Sequence, residues 1–137
     1  MLRNYPQNIL DLFSEALQGD EKAFKALMTT EKCPELAAFS SAINGDEKAE
    51  IFLRARVGVD WWLMCKAIEN NENAMKQFQQ RNDKFYVSFA LACQDRIEGI
   101  HWLEVNNYAN FLPICQCIVN AIKRKNSDLS WLYKAHH

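Results

Sequence analysis

An apolar pattern of helical period recurs five times along the chain in one register, each recurrence broken by a short polar stretch. With an alanine as reference, the units centre on Ala16, Ala42, Ala67, Ala92 and Ala121, in steps of 26, 25, 25 and 29 residues. Three residues before each alanine stand Phe13, Phe39, Met64, Phe89 and Ile118; six before it stand Leu10, Leu36, Trp61, Tyr86 and Cys115. One residue after it stand Leu17, Ile43, Ile68, Cys93 and Ile122, and eleven after it Leu27, Leu53, Phe78, Leu103 and Leu132. Seven after it the residue is small in four units (Ala23, Ala49, Ala74 and Gly99), with Asp128 the exception. Unrelated amphipathic helices would each keep a 3.6-residue period but would have no reason to share one register. The chain is an array of repeats.

Each unit predicts two helices joined by a tight turn. Gly19 and Gly45 stand where a left-handed helix end is needed, and Asn70 is the usual substitute there. Asp20, Asp46 and Asn71 follow and can cap the second helix, with Glu21, Glu47 and Glu72 at the positive end of its dipole. Pro34 and Pro113 fall near the start of the first helix of units two and five, where proline is tolerated. In the last two units Asp95-Arg96 and Arg124-Lys125 replace the glycine-type turn. A small column two residues before the reference alanine (Ser14, Ser40, Cys65, Ala90, Val119) lets successive first helices approach closely. One hairpin cannot bury its own stripe, so neighbours must stack, and end units are expected to be atypical.

An alanine followed three residues later by glycine, then paired apolar residues ending in leucine, resembles the helical half of an ankyrin repeat. LAAFSSAINGDEKAEIFLRA, from Leu36 to Ala55, carries the resemblance best. It extends over residues 8–135, although no unit holds the Thr-Pro-Leu-His signature and the units are shorter than the ~33 residues of that family. The expected fold class is therefore all-α: an α-solenoid of about five stacked helix-turn-helix repeats, ankyrin-like without clear β-fingers. One domain, 1–137, is expected, with units at 8–30, 34–56, 59–81, 84–106 and 112–135. The resemblance implies an open stack whose first helices line a concave side that holds partners.

Composition narrows the function classes. Apolar residues at 49 % and charged residues at 24 % suit one folded domain of 137 residues. A net charge of −1 provides no field toward nucleic acid or anionic lipid, and neither partner is expected. No apolar run approaches the ~20 residues of a membrane span. The N-terminal stretch lacks a secretory leader's apolar core, and the five cysteines follow no disulfide framework. A cytoplasmic location with reduced thiols follows, with a host-directed secreted effector as the other possibility.

Candidate chemistry is sparse. Cys65 and Cys93 fall in columns otherwise filled by small or apolar residues and predict buried thiols. Cys115-Gln-Cys117 is too close for the usual zinc spacing and has no second pair. Cys33, in a loop before Pro34, has nothing beside it to lower its pKa. His101 shares its column with Lys25, Ile51, Lys76 and Ser130, a solvated face, while His136 and His137 end the chain. Lys123-Arg124-Lys125 predicts a solvated turn. No phosphate-loop, dinucleotide, zincin or nucleophile-elbow string occurs, so no enzyme, cofactor or metal is expected.

What remains is a binding surface. Five before the reference stand Asp11, Ala37, Trp62, Val87 and Gln116, and one before it Glu15, Ser41, Lys66, Leu91 and Asn120. These columns are four apart and share one edge of the first helix. On a concave face they would set Trp62 and Lys66 beside Val87 and Leu91, flanked by Asp11 and Glu15, the anatomy of an interaction hot spot. Trp62 serves equally well as filler between units. The expected function is a non-catalytic protein-protein interaction module, monomeric or weakly dimeric, holding a partner protein on that face. Two alternatives stand beside it: a homo-oligomeric structural protein, and a helical domain that binds a small molecule or hides a catalytic site.

Overall fold

The computed structural model describes residues 1–135, with side chains over 1–127. The elements are α1 (Gln7–Leu17), α2 (Glu21–Met28), α3 (Pro34–Ile43), α4 (Glu47–Phe52), α5 (Val59–Ile68), α6 (Glu72–Gln80), α7 (Lys84–Cys93), α8 (Ile97–Val105) and α9 (Leu112–Ala135). Single 3-10 turns occupy Leu2–Asn4 and Ala109–Phe111, and a π-helical turn, Leu53–Val57, prolongs α4. Among the described residues there is no β-strand. His136 and His137 lie outside the described residues, as do the side chains of Asp128, Trp131 and Leu132.

Units one to four are αα-hairpins, and their turns share one chemistry. Gly19, Gly45, Asn70 and Asp95 all take left-handed φ, at 92°, 102°, 69° and 61°. Each donates its backbone N–H to the carbonyl of the reference alanine three residues before, at 3.0 Å. Asp95 thus does what glycine does in the first two units. The Asp20 carboxylate accepts from the Lys22 and Ala23 amides, Asp46 from Lys48 and Ala49, and Asn71 from Ala74, which caps α2, α4 and α6. A second left-handed residue ends units one, three and four: Lys32, Asn82 and Asn107. Unit two has instead the π turn, closed by the Gly58 amide on the Leu53 carbonyl at 2.8 Å.

The small residue seven after the reference alanine has a steric cause in unit four. A Cβ on Gly99 would stand 2.6 Å from the Ala92 amide nitrogen and closer still to the Ser88 carbonyl. In unit four the second helix lies directly on the backbone of the first at this level, and not even the Cβ of alanine fits.

Unit five departs from the expected hairpin. α9 runs unbroken through Lys123-Arg124-Lys125, so this segment is helix and not a solvated turn. The basic residues fasten it: Arg124 donates to the Leu17 carbonyl at 3.1 Å, and Lys125 pairs with Glu69 at 3.6 Å.

The first helices pack in sequence, α1 on α3, α3 on α5, α5 on α7 and α7 on α9, and α9 then packs back on α1. Ser14 and Cys117 meet across this last seam at 3.2 Å, Gln18 donates to the same sulfur, and Asn110 donates to Gln7. The open stack implied by the repeats is therefore corrected to a closed ring: five inner helices wrapped by α2, α4, α6 and α8. The column of Phe13, Phe39, Met64, Phe89 and Ile118 is wholly buried and fills the ring's interior. Phe13 stacks on Phe39 at 5.6 Å, and Phe39 meets the edge of Trp61 at 5.5 Å. Leu2 is buried beside this core, and the Arg3 guanidinium lies 5.1 Å from the rings of both Phe85 and Tyr86 while pairing with Asp83.

Candidate functional site: grooves and an apolar corner on the outer layer

Ring closure removes the concave face on which the six candidate residues were expected to meet. Their columns instead point outward, into the grooves between neighbouring hairpins. Three of these grooves are equivalent by repeat. The first, about 450 Å³, is lined by Phe24, Ser41 and Asn44 among others; the second, about 470 Å³, by Glu50, Lys66 and Glu69; the third, about 400 Å³, by Met75, Leu91 and Gln94. Lys66 and Leu91 therefore sit in separate grooves. Val87 lies in a further one with Gln79, Ser88 and Trp102. Asp11 and Glu15 are exposed, because no second helix follows α9 to cover that edge of α1, and Asp11 accepts from Gln7 in its own helix.

A ladder of side-chain amides ties the grooves together. Asn44 donates to the Leu17 carbonyl at 3.3 Å, and Gln94 to the Ala67 carbonyl at 2.7 Å, each satisfying the helix end of the preceding unit. Glu69 holds this position in unit three and has no proton to give. It pairs instead with Lys66 at 3.6 Å and with Lys125. Lys66 also reaches Glu50 at 3.2 Å. Burial works to lower the Lys66 pKa, but the two carboxylates outweigh it and the net direction is upward.

Trp62 is half-buried. The Arg54 guanidinium covers its face at 4.3 Å, with the Lys66 ammonium 6.0 Å away. Near it in the chain lies a run of exposed apolar side chains. Ile51 is 66 % exposed, Phe52 40 %, Val57 37 % and Val59 50 %, all within the nine residues from α4 through the π turn to the start of α5. Among the described residues neither Arg54 nor Arg56 forms an ion pair. This corner is a basic and apolar surface over a half-buried tryptophan.

Trp62 and Lys66 were legible as candidates; Ile51, Phe52, Val57 and Val59 were not singled out. A signal existed for Ile51, an isoleucine in a column otherwise made of Lys25, Lys76, His101 and Ser130. The remaining polar groups do not converge. Cys65, Cys93 and Cys115 are buried, and His101 stands exposed on the outer face of α8. Burial raises the Cys65 and Cys93 thiols, Glu50 adding to the first and the Cys115 thiol to the second. Among the described residues no group of three or more metal-ligating side chains forms, and no helix is long and apolar enough to cross a membrane.

Comparison with family models, with curated proteins and with solved structures finds no match for this chain.

Proposed function

We propose that this chain is a non-catalytic protein-interaction module whose docking site is the α4–α5 corner on the outside of the ring. One observation carries the reading: four aliphatic or aromatic side chains exposed within nine residues, beside two arginines without a carboxylate partner among the described residues. Arg54 stacked over Trp62 adds a planar cation that a partner carboxylate can engage in bidentate fashion. The π turn is consistent with it, since such turns are frequent at functional sites. A partner segment mixing acidic and apolar residues fits this chemistry. The raised thiols and the scattered polar groups favour binding over catalysis. Five unbridged cysteines support a reducing, cytoplasmic-type compartment.

The test compares wild type with a Phe52→Asp/Val59→Asp variant as bait in a cell lysate, both first matched for helicity by circular dichroism. The expected result is a partner held by wild type and lost by the folded variant, while Asp11→Ala/Glu15→Ala leaves it bound. A folded corner variant that keeps every wild-type partner would refute the assignment.

A further inference from the structure

The groove that holds Val87 differs from its counterpart one unit earlier in what the chain itself puts there. By the repeat, Trp62 and Leu63 of unit three correspond to Val87 and Ser88 of unit four, Val59 to Lys84, and Gln77 to Trp102. In unit three the half-buried Trp62 indole lies along this edge of the first helix, with the Arg54 guanidinium over its face at 4.3 Å. In unit four a valine stands in its place, and a groove of about 440 Å³ remains, lined by Lys84, Val87, Ser88 and Trp102 among others. Trp102 forms one wall. Tyr108 stacks on that indole at 6.0 Å and 8°, which fixes the plane of the ring.

Two polar groups of the groove are left uncommitted by the fold. Ser88 is 6 % exposed and stands in a column otherwise filled by Leu12, Ala38, Leu63 and Cys117. The other buried serine, Ser40, donates to the Ala37 carbonyl at 2.8 Å, but the Ser88 hydroxyl has no hydrogen-bond partner among the described residues. No side-chain oxygen or nitrogen sealed from solvent lacks a partner among those residues, so the Ser88 oxygen is open, and it opens on the groove. Lys84 is exposed and forms no ion pair among the described residues. One helical turn separates it from Ser88, so both reach the same spot. The carboxylate in the groove, Asp83, is already engaged: one oxygen pairs with Arg3 at 2.8 Å, and the other accepts from the Phe85 amide at 3.1 Å. The charge left free at the rim is therefore positive.

From these observations we infer that the groove binds a small planar aromatic anion, a carboxylate on a fused ring of indole or naphthalene size. The ring takes the space that Trp62 fills one unit earlier, packed on Val87 against the Trp102 wall. Its carboxylate accepts from the Lys84 ammonium and the Ser88 hydroxyl. Apolar burial and ring contact supply the attraction, and the two donors set the orientation. This site goes beyond the protein-docking reading and shares no residue with the α4–α5 corner, so each can fail without the other.

The test is a titration of the nitrogen-15-labelled full chain with 2-naphthoate, followed by NMR through the backbone amides and the tryptophan indole N–H signals. A ligand of about 13 non-hydrogen atoms is expected to bind with a dissociation constant on the order of 1 mM, so the titration runs to about 5 mM. The Trp102 indole signal, identified by its loss in Trp102→Phe, and the amides of residues 84–88 are expected to shift and saturate together. Those of residues 51–62 are expected to stay in place. Val87→Trp supplies from within the chain the ring that unit three already has. It is expected to keep its helicity and to weaken 2-naphthoate at least roughly tenfold. Lys84→Gln changes an exposed residue and cannot unfold the chain. It is expected to weaken 2-naphthoate roughly two- to fivefold, the range of an exposed ion pair, and to leave the neutral 2-naphthamide unaffected. No saturable shift at Trp102 in wild type overturns the inference. So does a folded Val87→Trp that binds as wild type does. Lys84→Gln with unchanged 2-naphthoate binding overturns the anion assignment.

Discussion

Several side chains gain from the fold by staying uncharged. Tyr5 is raised by burial and by donating to Glu35; Cys65 and Cys93 are raised chiefly by burial. A group whose folded pKa lies above its unfolded value adds stability that is complete below the unfolded pKa and is lost as pH climbs toward the folded one. Unfolded thiols titrate near ~8.5 and tyrosine near ~10, so all three effects act in the alkaline window. The urea midpoint is therefore expected to fall steadily between about pH 8.5 and 10.5. Each group that ionises only on unfolding contributes up to about 1.4 kcal/mol per pH unit. Cys65→Ala should flatten the early part of that fall, and a midpoint constant to pH 10.5 would contradict the account. At this scale the sequence was highly legible. The buried columns, the left-handed turns and the aspartate caps stand where their residue types put them. Asp95 was harder to read, because a left-handed aspartate costs only modestly more than an asparagine and leaves no separate mark.

Among the elements, α4 is the least secure on its own. It has six helical residues before the π turn, where α2, α6 and α8 have eight or nine. Its stability depends on the Asp46 cap and on the buried Ala49 and Leu53. Asp46→Ala is expected to cost about 1 kcal/mol, the ordinary value of an N-cap. The cost should appear locally: amide exchange across residues 47–57 should quicken before that of α7, whose Phe85 and Phe89 are buried in the core. Equal quickening in both helices would show that α4 is not an independent unit. The π turn itself was invisible in the sequence, since Leu53-Arg-Ala-Arg-Val holds ordinary helix formers. Its cause is tertiary. Unit two has Gly58 in place of a left-handed connector, and the helix widens to reach α5.

For the whole molecule, closure is the property that local pattern could not give. Period and register describe how one hairpin meets the next, and an open stack and a ring use the same neighbour contacts. The clue lay at the ends. An open stack should expose its first or last unit, yet Phe13 and Ile118 keep the core residue type, and Ser14 and Val119 keep the small or modest side chains of the seam column. Closure separates the candidate residues too, because Lys66, Leu91 and Val87 line three different grooves between hairpins. Closure also makes a mechanical prediction. Removing α9 by ending the chain after residue 111 would leave four hairpins. In an open stack they would stay folded and lose helicity in proportion. In the ring the cut strips cover from the seam side of α1 and from α7 together, and the whole remainder is expected to lose its cooperative urea transition. A truncated chain with a sharp transition would favour the stack.

The seam between α1 and α9 also bears on how such a protein can change over generations. Linear repeat proteins lengthen or shorten by duplicating or losing a unit, since every interior contact is copied along with it. Here an added hairpin would have to open the Ser14–Cys117 seam and reshape the interior packed by Phe13, Phe39, Met64, Phe89 and Ile118. The number of units is thereby held fixed by geometry, and variation is channelled into the outer layer, where Lys48 and Arg54 of unit two stand at the positions of Glu98 and Glu104 in unit four.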